Sequence, residues 1–209
     1  MEGKLLVISG LSAAGKGTIA NELVKRFDNY VLSISATTRE KRGNEADGVH
    51  YFFVSKNKFT EMINNDEFLE YAQYVGNFYG TPKKYVVDKL DKGVNVILEI
   101  EMQGALQVKK IYDKAVLVFF LPTDAKTQRE RLVSRGRDNK EQIEKRIRQA
   151  VLDAEYAKYY DYVIVNDDLE DSIRDMQAIV NGTYDKRKNK DAIEKLEKLV
   201  QDIKEEQNV

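Results

Sequence analysis

Apolar blocks and helically spaced segments alternate along this chain of 209 residues. Four apolar runs, at residues 4–9, 95–100, 115–121 and 162–165, show no polar alternation, which marks strands buried on both faces. A weaker run occupies residues 30–34. Between the runs, apolar positions recur three and four residues apart at 18–27, 85–92 and 104–111 and through the long stretch 125–157, so each reads as helical. Alternation of this kind predicts a doubly wound α/β fold, a parallel sheet with helices on both faces.

Residues 35–82 break the rhythm. They are rich in Thr, Tyr, Phe and Gly, hold a short segment Tyr51-Phe52-Phe53-Val54 and one helical piece at 55–64, and predict a small α+β insert with its own sheet. The chain divides into a discontinuous core (1–34, 83–125 and 151–209), the insert (35–82) and a helical lid (126–150). The tail, residues 185–209, carries seven positive and seven negative side chains. Its apolar residues Ile193, Leu196, Val200 and Ile203 form one narrow stripe, predicting a helix that docks on the core or meets a second copy.

Chemistry enters at Gly10-Leu11-Ser12-Ala13-Ala14-Gly15-Lys16-Gly17-Thr18, which follows the first apolar run and opens the first helix. The spacing G-x-x-x-x-G-K between strand and helix is that of a phosphate-binding loop, or P-loop. Glycines let the backbone curl with its N–H groups inward, the helix start adds the positive end of a dipole, and Lys16 reaches the outer phosphates. A purely structural turn leaves Lys16 unexplained, because a cation at a helix start opposes the dipole. The triphosphate of a nucleotide is therefore expected against Gly10, Ser12, Ala13, Ala14, Gly15, Lys16, Gly17 and Thr18. Position 17 is Gly, not the Ser or Thr that usually ligates Mg²⁺, and the hydroxyl comes one residue later at Thr18. Mg²⁺ held through water is the expectation.

Composition narrows the field. With 34 basic and 35 acidic side chains the net charge is −1, which gives no electrostatic reason for nucleic-acid binding. The absence of cysteine excludes disulfides and thiolate catalysis. The only histidine, His50, rules out a histidine-rich metal site and, beside Tyr51, reads as structural. No run approaches the roughly 18 apolar residues that span a bilayer, and no signal peptide is visible, so the expected setting is cytoplasmic, away from membranes.

An enzyme that transfers phosphate also needs an acceptor site, and the insert concentrates suitable groups: Ser35, Arg39, Arg42, Tyr51, Glu70, Tyr79 and Thr81. Two arginines three residues apart, with a serine and a tyrosine nearby, can clamp one phosphate through charge-assisted bonds. Taken singly each reads as an ordinary surface residue; beside a P-loop they read as a set. Glu99 and Glu101 close the second of the four long runs, where acidic groups can hold Mg²⁺ or its waters. Six segments then carry a resemblance: Ser-Ile-Ser-Ala-Thr-Thr-Arg-Glu-Lys-Arg (33–42), Gly-Val-His-Tyr-Phe-Phe-Val (48–54), Glu-Phe-Leu-Glu-Tyr-Ala (67–72), Gly-Asn-Phe-Tyr-Gly-Thr-Pro (76–82), Ile-Leu-Glu-Ile-Glu-Met-Gln-Gly (97–104) and Val-Asn-Asp-Asp-Leu (165–169). Together, in order and over about residues 4–180, they resemble the guanylate kinases.

The resemblance implies a P-loop nucleoside monophosphate kinase fold and transfer of the γ-phosphoryl group of MgATP to GMP, and to dGMP, in purine nucleotide metabolism. It implies that Ser35, Arg39, Arg42 and Tyr51 hold the GMP phosphate and that Glu70 and Thr81 read the guanine, with Tyr79 nearby. Guanine offers adjacent N1–H and N2–H donors that one carboxylate accepts together; adenine presents an acceptor there, and such sites discriminate by about 10⁴–10⁵. Lys16 with the matching lid and core arginines Arg131, Arg135 and Arg146 would act on the migrating phosphoryl group. Glu101 is grouped with GMP, although the family usually carries aspartate there, and Glu99 with Mg²⁺. Gln103 and Gly104 complete the motif with no chemical role evident from the residues. Leu11 and Ala13 stand where Pro and Gly are common, and Arg137 where threonine is, so Arg137 is left out of the set.

The acceptor is a phosphate oxygen already ionised, so no strong base is needed; catalysis would be alignment and charge neutralisation, with insert and lid closing over the nucleotides. A protein-binding module of the scaffold type would not need Lys16 or the lid arginines. A kinase for another nucleotide or a sugar phosphate would not need Glu70, Tyr79 and Thr81 together. The sequence leaves monomer and homodimer both open.

Overall fold

All six residues of the first apolar run to form a strand are buried, and their alternation sorts the core into two layers. Leu5 and Val7 pack on one side of the sheet, Leu6 and Ile8 on the other. The computed structural model describes residues 2–74, 76–136 and 138–207; Arg137 lies outside them, as do the last two residues of the tail. In chain order the elements are β1 (Leu5–Gly10), α1 (Lys16–Arg26), β2 (Tyr30–Leu32), β3 (Ala36–Thr37), β4 (Phe52–Phe53), α2 (Lys56–Asn64), β5 (Phe68–Tyr74), β6 (Asn77–Pro82), α3 (Lys83–Leu90), β7 (Asn95–Glu99), α4 (Met102–Ile111), β8 (Val116–Leu121), α5 (Ala125–Ser134), α6 (Lys140–Ala154), β9 (Tyr162–Val165), α7 (Leu169–Asn181) and α8 (Arg187–Gln207). A 3-10 turn at Glu155–Tyr159 precedes β9.

Five strands form the main sheet in the order β2-β7-β1-β8-β9. Every pairing is parallel; β1 sits at the centre, Leu6 opposite Ile97 on one side and Val116 on the other. Helices α1 and α7 cover one face through Ile19, Ala20 and Leu23 and through Ile173, Met176 and Ile179. Helices α3, α4, α5, α6 and α8 supply the other layer, with Val86, Leu90, Val108, Leu132 and Ile147 among its buried residues. Each such aliphatic side chain taken out of water contributes about 1.5–3 kcal/mol. The doubly wound α/β architecture is the one expected, and it brings the C-terminal ends of β1, β7 and β8 to one edge, where ligands of such sheets bind.

The second sheet runs β4-β3-β6-β5. Its β3–β4 pair is parallel, while β6 runs antiparallel to both β3 and β5. Its core is aromatic: Phe59 of α2 stacks on Phe68 at 4.5 Å and on Phe78 at 5.5 Å between ring centroids.

Three elements differ from the apolar pattern. The stretch 125–157 is two helices, not one: Gly136 takes a left-handed φ of 60°, and Asn139 then caps α6 in a reciprocal box with Gln142. Helix α7, which the pattern did not single out, starts on an Asp168 cap and ends on Gly182 at φ 72°. Helix α8 docks on the core, but through Ala192, Leu196, Leu199 and Ile203. Of the predicted stripe, Val200 is only partly buried and Ile193 is 39% exposed. Arg129 ties this layer together by pairing with Glu144 of α6 and Glu206 of α8. Among the described residues no helix is long and apolar enough to cross a membrane.

Candidate active site

The phosphate-binding loop takes its shape from close backbone approach. Gly10 ends β1 at φ 138°, and a Cβ there would lie 2.0 Å from the Phe120 carbonyl oxygen of β8. Gly15, at φ 85°, precedes α1, and its missing Cβ leaves room for the Asn166 amide, which would otherwise lie 2.3 Å away. Between them Ala13 is buried at φ 63°, a left-handed conformation that disfavours an L side chain. Lys16 folds back over the loop: its Nζ donates to the carbonyls of Gly10 at 2.8 Å and Leu11 at 3.1 Å.

A cavity of about 340 Å³ opens above this loop. Gly10, Ser12, Ala13, Ala14, Gly15, Lys16 and Gly17 line it, and so do Glu99, Glu101, Arg135 and Arg146. Burial pulls the Lys16 ammonium below its ordinary pKa, against the fields of Glu101 and Glu99. Glu99 projects from the end of β7 to the place a side chain at 17 would take: a Cβ on Gly17 would sit 3.2 Å from Glu99 Oε2. Desolvation raises the Glu99 pKa. Thr18 does not line this cavity. It faces a neighbouring one of about 330 Å³ with Arg131, Arg135, Asn166 and Asp167.

Arg131, Arg135 and Arg146 play different parts. Arg135 lines both cavities. Arg131 Nη2 donates to the Asn166 carbonyl at 3.0 Å, and its buried Nη1 has no partner among the described residues. Arg146 lies between Asp138, 3.1 Å from Nε, and Ser12, whose hydroxyl is 3.4 Å from Nη1. Sequence reasoning passed over Asp153, which lines the phosphate cavity and is held by Gln149 at 3.0 Å. Its one signal is a helical spacing of seven from Arg146, which is visible only once the helix is known.

In the insert, Arg39 pairs with both carboxylate oxygens of Glu45, at 2.8 and 3.0 Å. That hydrogen-bonded partner raises the guanidinium pKa. Arg39 also lies 5.4 Å from the Tyr51 ring, which meets the Tyr79 ring edge-on at 6.1 Å. The Arg42 side chain is exposed, and its backbone N–H donates to Glu45 at 2.8 Å, so Glu45 organises the segment bearing both arginines. Ser35 is half-buried just before β3, and its carbonyl accepts from the Phe52 N–H at 2.9 Å. His50 accepts the Ala46 N–H at its Nδ1, a structural contact.

Glu70 and Thr81 lie opposite each other on β5 and β6, next to a register shift. Thr81 Oγ1 donates to Glu70 Oε1 at 2.6 Å. Glu70 is only 8% exposed, and desolvation raises its pKa against the Thr81 hydrogen bond. Here Gly104 acquires a role: a Cβ at 104 would sit 3.2 Å from Glu70 Oε2. Gly104 lies in the first turn of α4, whose N-cap is Glu101. One helical turn thus joins the phosphate cavity to the buried carboxylate. Glu101 lies on the phosphate side of that turn.

Known proteins resemble this chain along most of its length. The family description "Guanylate kinase" matches residues 2–183. A guanylate kinase of Carboxydothermus hydrogenoformans is 51% identical over 181 residues, covering 87% of this chain and 89% of its own. One of Clostridioides difficile is 49% identical over 88% of this chain and 90% of its own, and one of Halalkalibacterium halodurans 44% identical over 96% and 97%. The crystal structure of guanylate kinase from Anaplasma phagocytophilum superimposes with a TM-score of 0.63 at 33% identity, covering 87% of this chain and 86% of that one.

Proposed function

The chain belongs to the guanylate kinase family, and from that premise we infer that it transfers the γ-phosphoryl group of ATP to GMP, yielding ADP and GDP. The observation that carries the reading is the Glu70–Thr81 pair. Thr81 occupies one carboxylate oxygen as donor, and the carboxylate retains acceptor capacity for the two adjacent donors of guanine. An adenine in that place would set its own acceptor against the carboxylate. The pair has no evident dependence on a ribose 2′-hydroxyl, so dGMP is a further acceptor in this reading.

The remaining roles follow from charge. Arg39, Arg42, Ser35 and Tyr51 hold the GMP phosphate, with Tyr79 beside Tyr51 shaping the pocket. When GMP is bound, Arg39 turns from Glu45 toward the phosphate, a charge-assisted partner of the same sign. Lys16 leaves the loop carbonyls for the outer phosphates of ATP, and Arg131, Arg135 and Arg146 of the lid neutralise charge on the group in transit. Glu101, on the turn that joins the sites, helps orient the acceptor.

Mg²⁺ suits the donor set: one carboxylate, Glu99, stands beside the bare Gly17, and phosphates and water supply the other oxygens. Among the described residues no three acidic or histidine side chains cluster, which fits an ion held mainly by its nucleotide. When bound, it neutralises charge on the ATP phosphates. Steady-state kinetics with GMP and AMP test the reading. Glu70→Gln lowers kcat/KM for GMP by about 10²-fold or more and narrows the preference over AMP. Full guanine selectivity in that variant would contradict the assignment.

A further inference from the structure

Two buried side-chain amides grip the phosphate loop from outside. Gln128 Nε2 of α5 donates to the Ser12 carbonyl at 2.9 Å. Asn166 Nδ2, just past β9, donates to the Ala14 carbonyl at 2.7 Å. The residue between those two carbonyls is Ala13, the loop's one non-glycine at positive φ.

Gln128 is fully buried, and its Oε1 has no partner among the described residues. Turning the amide over would set Oε1 against the Ser12 carbonyl and lose the bond it makes. A buried polar atom left unsatisfied opposes stability, and this cost offsets what the bond to the Ser12 carbonyl contributes to the fold. The bond to Ser12 is what the amide adds. Asn166 is used more fully: its Oδ1 accepts from Ser172 Oγ at 3.0 Å, and its amide fills the space left by Gly15.

The geometry of the peptide unit gives these bonds a consequence. All peptide bonds of the described residues are trans, so each carbonyl points opposite to the N–H of the next residue. Drawing the Ser12 carbonyl toward Gln128 turns the Ala13 N–H the other way. Drawing the Ala14 carbonyl toward Asn166 does the same for the Gly15 N–H. Neither N–H donates to a backbone carbonyl among the described residues.

We propose that Gln128 and Asn166 are positioning residues for ATP, clamping the carbonyls on either side of Ala13 so that the Ala13 and Gly15 N–H groups stay turned out toward the phosphates. The clamp offsets the left-handed strain that Ala13 brings and that glycine would not. Because Gln128 shares α5 with Arg131, it also links the lid to the loop. The inference rests on the assignment of the loop to ATP.

Calorimetric titration of ATP and of GMP into Gln128→Leu tests it, with the same substitution repeated in an Ala13→Gly background. Gln128→Leu weakens ATP binding about five- to tenfold and leaves GMP binding and the melting temperature in place. With glycine at 13, adding Gln128→Leu weakens ATP binding less than threefold further. Gln128→Met gives the same pattern and serves if the leucine variant does not fold. Unchanged ATP affinity, an equal loss in both backgrounds, or a parallel loss of ATP and GMP affinity would each overturn the clamp. Failure of the unaltered protein to bind ATP would instead overturn the assignment of the loop, and the clamp with it.

Discussion

Glu70 shows how a single buried carboxyl costs stability at a place where the proposed reading needs it for recognition. Its folded pKa is raised above the ordinary 4.5 because burial disfavours the charged form. Across the window from 4.5 up to the raised value, the folded state keeps a proton that the unfolded state has lost. Stability therefore falls as pH rises through that window. Glu70→Gln, which keeps an acceptor for Thr81, is expected to be more stable than the parent at pH 7, with the difference vanishing below about pH 4.5. Urea melts at the two pH values check it; a less stable Gln variant at pH 7 would contradict the account. Gly104→Ala places a methyl 3.2 Å from the same carboxylate and raises KM for GMP about tenfold, leaving KM for ATP in place. Equal changes in both constants would show damage spread beyond the surroundings of Glu70.

At this scale the legible parts were the local ones. The P-loop is nine consecutive residues, and its strand-to-helix context is written beside it. The role of Gly104 was not legible from the residues, because it depends on Glu70, which lies on β5 of the second sheet. The Glu45 partner of Arg39 was hidden in the same way: the sequence shows a nearby acid, but only the turn brings it onto the guanidinium.

Among the elements, the parallel strands were plain because burial on both faces removes polar alternation. The short strands of the second sheet were not, because two-residue pairings such as β3 with β4 carry no periodicity at all. The lid helices looked continuous because apolar spacing runs past Gly136, and only the left-handed turn and the Asn139 cap divide them. In α8 the sequence marked the helix but misplaced its buried face by part of a turn. Leu199, 1% exposed and missing from the expected stripe, anchors that face. Leu199→Ala is expected to destabilise the protein by about 2–5 kcal/mol, read by denaturant unfolding. A loss below about 0.5 kcal/mol would mean that α8 is not packed through this side.

For the molecule as a whole, two sheets with separate cores face a common edge. The cavity above the loop opens at the ends of β1 and β7, the Glu70–Thr81 pair lies on β5 and β6, and the first turn of α4 touches both; in the proposed reading the first takes the triphosphate and the second the acceptor's base. Such an arrangement needs no nucleophile or strong base, only two anionic ligands aligned and their charge neutralised. In the proposed reaction guanine is the acceptor's base and ATP the donor. ADP formation from MgATP, measured side by side with GMP, dGMP, AMP, UMP and no acceptor, tests it most directly. The account predicts rapid turnover with GMP and dGMP and rates at least about 10³-fold lower with AMP and UMP. Comparable turnover with AMP or UMP, or none with any acceptor in folded protein that binds ATP, would contradict it.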